Sequence, residues 1–146
     1  MRLIELVIPI KQLTELVLNK RFDVLADGGY SDDFTNIIID NAIQRYYLEP
    51  CLPSDDEFYR AIGHSALTFL GPGYLDGEIP EITDDDDYQF TEGEMENIVI
   101  EGDTDVFPVD VLIQGNEETN TYLMLGIDAK VCSNKIILKV RNMFIS

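Results

Sequence analysis

Apolar residues change their spacing along this chain near residue 73. Upstream they recur at intervals of three and four, the signature of one helix face; downstream they recur every second residue, the signature of a strand. Arg2–Ile8 is aliphatic and β-branched and reads as a strand. Pro9 stops it and suits the first position of a helix. Ile10, Leu13, Leu16 and Val17 then follow at helical spacing, with Phe22 and Leu25 extending the stripe to a loop at Ala26–Gly29. Asp32 and Asp33 suit the start of a second helix, by capping and by the helix dipole. Its apolar stripe is Phe34, Ile37, Ile38, Ala42, Ile43, Tyr46 and Tyr47, and it ends before Pro50. Ser54 and Glu57 form the Ser-x-x-Glu pattern of a capping box. Phe58, Ile62, Ala66 and Phe69 then line one face of a third helix, and Gly71-Pro72-Gly73 stops it.

Strands are expected at Tyr88–Thr91, Asn97–Glu101, Val106–Ile113, Tyr122–Ile127 and Lys135–Ile145. Pro108 donates no backbone hydrogen bond, so its strand belongs at a sheet edge or a bulge. Gln114–Thr121 reads as a polar hairpin loop and Ala129–Asn134 as a second turn. The whole is an α+β chain: an N-terminal strand and three helices, then an antiparallel meander of four to five strands. It lacks the βαβα alternation of a doubly wound parallel sheet. Its 146 residues fit one domain, with a helical part at about 9–71 and an acidic, β-rich part at about 74–146.

Charge changes this picture more than composition does. The hydrophobic fraction is 45%, ordinary for a globular chain, so the chain is expected to fold. The formal net charge is −18. Small soluble domains usually carry a magnitude of roughly 2–8. The excess works against compaction by self-repulsion, which points to a function that uses negative charge. The charge is also segregated. Ala61 to Ala129 holds seventeen carboxylates and neither lysine nor arginine. From Lys130 to Ser146 there are four cations, Lys130, Lys135, Lys139 and Arg141, and no acid.

Residues Asp76 to Asp110 concentrate the candidate site. The partner-binding residues expected there are Asp84, Asp85, Asp86, Asp87, Glu92, Glu94, Glu96, Glu101, Asp103 and Asp105, with Tyr74 and Tyr88 as apolar anchors at its ends. Glu92, Glu94 and Glu96 are spaced by two, as are Asp103 and Asp105. On an extended backbone such residues share a face at a pitch of about 6.6–6.8 Å. That pitch is comparable to successive phosphates of a nucleic-acid strand, and arginine grips carboxylate and phosphate with the same bidentate geometry. The plain alternative is a solvated acidic loop. A surface that is merely soluble mixes its signs, which this one does not.

Other chemistry finds less support. Asp84–Asp87 offers hard oxygen ligands, but the EF-hand pattern fails: a loop opening at Asp84 or Asp103 would put Gln89 or Pro108 at the glycine position. No metal or cofactor is expected. His64 is the only histidine, on the third helix among Ile62, Ala66 and Leu67, and reads as structural. Cys51 lies near a helix start that would lower a thiol pKa, yet Asp55, Asp56 and Glu57 oppose the thiolate. Cys51 and Cys132 read as two buried thiols. The glycine runs lack the lysine of a phosphate loop. Nothing selects two of 28 acids as a glycosidase pair.

The longest apolar runs are too short for a transmembrane span. Glu5 interrupts the N-terminal apolar stretch and no small-residue cleavage site follows, so a cytoplasmic protein is expected. Nucleic acid and anionic membranes repel so acidic a chain, so neither is an expected partner. A small, folded, very acidic chain without a catalytic signature resembles in type two groups of protein inhibitors. One comprises anti-restriction and anti-CRISPR proteins that mimic DNA; the other comprises immunity proteins and antitoxins that neutralise nuclease toxins. The resemblance is compositional and carries no residue roles. The expectation is a non-enzymatic inhibitor that docks its acidic face on the basic, nucleic-acid-binding surface of a partner such as a nuclease. Two other classes are kept: a small enzyme or regulator using one unidentified pocket, and an assembly subunit whose basic C-terminal strand meets the acidic face of a second copy.

Overall fold

The computed structural model describes residues 1–46, 49–81 and 88–146. Its N-terminal half is helical: a 3-10 turn at Leu3–Leu6 leads into α1 (Val7–Leu18), followed by α2 (Phe22–Asp27), α3 (Asp33–Arg45) and α4 (Asp55–Ser65). A π-helical turn at Ala66–Leu70 closes α4. Two short strands, β1 (Leu75–Asp76) and β2 (Val99–Ile100), pair antiparallel and bracket α5 (Glu92–Asn97). The main sheet is a three-stranded antiparallel meander of β3 (Phe107–Asn116), β4 (Thr121–Cys132) and β5 (Lys135–Ile145), with β4 in the centre. The α+β class and the order of helices before sheet agree with the sequence reading.

The N-terminus does not form the expected strand. Leu3, Leu6, Val7, Ile10, Leu13, Thr14 and Val17 are all buried, a three-four spacing that runs unbroken through Pro9 into the helix. Helical periodicity therefore overrides the β-branched character of the segment, and Pro9 sits in the first turn where its missing N–H costs nothing. What remains of a strand is one bridge from Arg2 to Val99 and the bonds tying Met1 and Leu3 to Ile100 and Ile98.

α3 is rotated from its expected face. Thr35, Ile39, Ala42 and Tyr46 are buried, while Phe34 is 72% and Ile37 59% exposed. Three consecutive isoleucines left two faces equally apolar. On α4, Phe58, Ile62 and Ala66 face the core as expected. The wider π turn then brings Leu70 inward and Phe69 out.

The sheet buries one face. Val109, Val111, Leu125, Ile127, Ala129 and Val131 join α1, α3 and α4 in one cluster of buried side chains. Both sheet edges are covered, as isolated edges invite pairing with other chains. At β3 the Ser65 hydroxyl donates to the Pro108 carbonyl, and the Leu112 N–H donates to Glu57 Oε2 at 2.9 Å. At β5 the Val140 N–H donates to the Tyr30 carbonyl at 2.8 Å. Pro108 thus lies on an edge strand, as its chemistry requires. The expected turn at Ala129–Asn134 shrinks to Ser133 and Asn134, both with positive φ, as a two-residue hairpin turn demands.

Candidate functional site

The acidic residues are carried on two anchored pieces of chain. From Tyr88 onward the chain is fastened to α4. His64 donates from Nε2 to the Tyr88 carbonyl at 2.9 Å, and Gln89 Nε2 donates to the Asp56 carbonyl at 2.8 Å. Phe90 is fully buried in the notch left by Gly63, edge-on to His64 and Tyr88 with ring centroids 5.5 and 5.1 Å away. His64 therefore acts as a strut. Its neighbour Ser65 is hydrogen-bonded to Pro108, and a shallow cavity of about 200 Å³ lies beside them.

Thr91 and Glu94 then close a capping box on α5. The Glu94 N–H donates to Thr91 Oγ1 at 3.1 Å and the Thr91 N–H donates to Glu94 Oε1 at 3.0 Å. The other carboxylate oxygen of Glu94 accepts from the Tyr88 hydroxyl at 2.6 Å. Burial works to raise the Glu94 pKa; the bonds from Tyr88 and Thr91 outweigh it and hold the carboxyl below its ordinary value. The same bond to Glu94, with burial and the carboxylate charge, raises the Tyr88 hydroxyl.

This helix overturns the extended ladder expected at Glu92, Glu94 and Glu96. Residues two apart on a helix point in different directions, whereas those four apart share a face. Glu92 and Glu96 are exposed on one side, and Glu94 is spent on the cap. The structure also replaces the expected strand at Tyr88–Thr91 with the α4 anchor. The expected box at Ser54 does not form: Glu57 turns instead to Arg60 and to the edge of β3.

The second piece follows β2. The Glu101 N–H donates to the Tyr74 carbonyl at 2.8 Å. Thr104 is buried and exchanges two bonds with Val131, through its own N–H and its Oγ1. Asp103 and Asp105 stand exposed on either side of it, so the two-residue alternation holds here. Asp103 accepts from the Ser133 N–H at 2.8 Å and Asp105 from the Tyr74 hydroxyl at 3.4 Å. Tyr74 and Tyr88 are half-buried with their rings packed on the core. Asp84, Asp85, Asp86 and Asp87 lie outside the described residues.

The fold adds two acids that the sequence reading assigned only to a helix start. The Tyr59 hydroxyl is raised first by burial and then by the charges of Glu92, Asp55 and Asp56. Asp55 and Asp56 on α4 therefore share a field with Glu92 on α5, and Lys11, paired with Asp55 at 2.7 Å, stands in the same field. The docking of Phe90 on Gly63 and the bonds between α4 and residues Tyr88 and Gln89 bring these segments together, and no local sequence signal reports them.

Ion pairing separates these carboxylates from the others. Among the described residues, Glu5, Asp23, Asp40, Asp55, Glu57, Asp110 and Asp128 each meet a lysine or arginine within 4.0 Å. Glu92, Glu94, Glu96, Glu101, Asp103 and Asp105 meet none among the described residues. The cations of the C-terminal segment stand elsewhere, on the open face of the sheet. Lys130 pairs in register with Ile137, Lys135 with Cys132 and Lys139 with Asp128. Arg141 is the extra residue of a bulge opposite Gly126 and Ile127, and reaches Asp128 at 2.8 Å and Asp110 at 2.5 Å.

Cys51 is exposed and Cys132 half-exposed, both as free thiols, which corrects the expectation that they are buried. Cys51 lies in the connection from α3 to α4, and Cys132 faces outward on β4. Among the described residues no group of three or more His, Cys, Asp or Glu side chains is arranged to hold a metal ion, and no helix is long and apolar enough to cross a membrane. No protein-family model matches the chain, and no curated protein or solved structure shows significant similarity to it.

Proposed function

We propose that this protein is a non-enzymatic inhibitor. Its acidic segment docks on the basic, nucleic-acid-binding surface of a partner protein and blocks access of the nucleic acid. The observation that carries the reading is a set of exposed carboxylates on anchored backbone, Glu92, Glu96, Glu101, Asp103 and Asp105, none of which meets a described lysine or arginine within 4.0 Å. Uncompensated carboxylates repel one another, and an external row of arginines and lysines relieves that repulsion on binding. Anchoring by the α5 cap, the Phe90 notch and the Thr104 bonds lowers the ordering cost of that contact.

The contact works through charge placed on a helix and an extended segment. It does not need a continuous ladder at phosphate pitch. Charge of one sign steers encounter and makes association fast and strongly salt-dependent. The partner is a nuclease or another nucleic-acid-binding effector, and the setting is the contest between phage or plasmid genes and host defence, or between a toxin and its immunity protein. The decisive variant replaces Glu92, Glu96, Glu101, Asp103 and Asp105 with lysine. It is expected to fold and to lose inhibition; full inhibition by the folded variant would remove the acidic segment as the site.

A further inference from the structure

The open face of the main sheet carries a second charged surface. Ile137 of β5 is 47% exposed there. Lys130 lies directly across from it on β4, and Lys135 and Lys139 lie two residues to either side of it along β5. Cross-strand neighbours stand about 4.5–5.5 Å apart at Cβ, and residues two apart on a strand about 6.6–6.8 Å. Three lysines therefore ring one exposed isoleucine.

These lysines are not used inside the chain. Of ten lysines and arginines, six meet a carboxylate within 4.0 Å among the described residues, and Lys130, Lys135 and Lys139 are three of the four that do not. Asp128 faces Lys139 across the strands but is held by Arg141 at 2.8 Å. Asp32 is held below its ordinary pKa first by the bond from the Thr35 N–H, at 2.7 Å, and only last by the charge of Lys139. In a chain with 28 acids, three neighbouring lysines without a carboxylate point to an anion from outside.

The complementary surface lies beside it on the same chain. Thr104 exchanges its two bonds with Val131, the neighbour of Lys130, and Asp103 accepts from the N–H of Ser133, two residues before Lys135. Asp103 and Asp105 are exposed and meet no described lysine or arginine within 4.0 Å. Val106 next to them is 58% exposed. The two patches are adjacent and opposite in charge, and each carries an exposed β-branched side chain. A two-fold axis between such patches brings each onto its counterpart in the other copy. A wholly acidic or wholly basic partner would neutralise only one of them.

We infer that the protein forms a two-fold homodimer in which Asp103 and Asp105 of each copy pair with Lys130, Lys135 and Lys139 of the other, and Val106 packs on Ile137. Each copy carries a formal charge of −18, so long-range repulsion opposes association. Physiological salt screens charges beyond about 8 Å, which removes most of that repulsion and leaves the ion pairs in contact. The dimer does not rest on the inhibitor reading. It shares Asp103 and Asp105 with it, so a basic partner and the second copy exclude one another.

The test is sedimentation equilibrium of the full chain, alone, at about 0.15 M salt. The expected mass is that of two chains, with the dimer fraction rising with protein concentration. Ile137→Asp, at an exposed position, is expected to give the mass of one chain while remaining folded by circular dichroism. Two charge-reversed variants, Lys135→Glu with Lys139→Glu and Asp103→Lys with Asp105→Lys, are each expected to give one chain alone. Their equimolar mixture is expected to give two, because one contact keeps the wild-type pairs and the other has them reversed. A wild-type mass of one chain at every concentration would overturn the inference, as would a dimer unaffected by Ile137→Asp, a mixture of the two folded variants that stays at one chain, or open-ended growth beyond two chains. Lys135→Glu with Lys139→Glu leaves every residue of the acidic segment in place, so loss of the dimer and loss of partner capture are read separately.

Discussion

A Cβ placed on Gly63 would sit 2.5 Å from the ring of Phe90. The glycine in α4 is what lets the chain after the acidic tract lie on the helix, and the ring fills the space a side chain would occupy. Phe90→Ala should cost about 3–5 kcal/mol, the range for emptying a buried aromatic site. Gly63→Ala should destabilise the wild type by about 1 kcal/mol, since overpacking outweighs the gain in helix propensity. The same change should stabilise the Phe90→Ala variant, where the methyl enters a cavity. Urea unfolding of the three variants reads this reversal of sign, and two costs that simply add would contradict it.

The α5 cap predicts both a magnitude and a pH dependence. Thr91→Ala should cost about 0.5–2 kcal/mol. Glu94 has a folded-state pKa below its ordinary value of 4.5. Its contribution is therefore fully present above the unfolded-state pKa and is lost as pH falls through the folded one. The stability difference between wild type and Glu94→Gln should be constant at neutral pH and shrink in that acidic window. A difference that grows on acidification would contradict the hydrogen-bonded carboxylate described here.

Arg141 spans β4 to reach Asp110 on β3, passing over Gly126, where an added Cβ would meet its guanidinium at 2.6 Å. The pairs are about one-third exposed on the arginine side, so Arg141→Met should cost about 1 kcal/mol, less at high salt. Gly126→Ala disturbs the same guanidinium. The two substitutions should therefore be less than additive in a double-mutant cycle. Neither should alter partner capture, since neither touches the acidic segment.

Much of the fold is legible in the residue pattern, and the failures have specific causes. β5 spans Lys135–Ile145 as its alternation indicates, and α4 begins at the Asp55–Glu57 cluster. At Arg2–Ile8 the β-branched residues suggested a strand, but Leu3, Leu6, Val7 and Ile10 already carried the helical period. At Glu92–Asn97 alternating glutamates suggested an extended chain, although Thr91 and Glu94 spell the capping box that makes it a helix. On α3, the stripe read through Phe34, Ile37 and Ile38 is wrong because three successive isoleucines make two faces equally apolar, and packing against β5 buries Ile39.

The acidic site was legible as a charge and illegible as a surface. The stretch without lysine or arginine marks Glu92, Glu96, Glu101, Asp103 and Asp105 directly. It does not show that Glu94 is used internally, or that Asp55 and Asp56 join Glu92 around Tyr59. The second depends on tertiary contacts, the docking of Phe90 on Gly63 and the bonds that tie Tyr88 and Gln89 to α4, whereas the first follows from the local Thr91–Glu94 capping box.

The most direct measurement for the acidic segment is a pull-down from host lysate with the purified protein as bait, washed at low and at high salt and challenged with added DNA or RNA. The predicted result is one basic nucleic-acid-binding protein that is retained at low salt, released at high salt and displaced by nucleic acid, and that a bait neutralised at Glu92, Glu96, Glu101, Asp103 and Asp105 fails to capture. No specific partner, or one indifferent to salt, to nucleic acid and to the neutralised bait, would contradict the account.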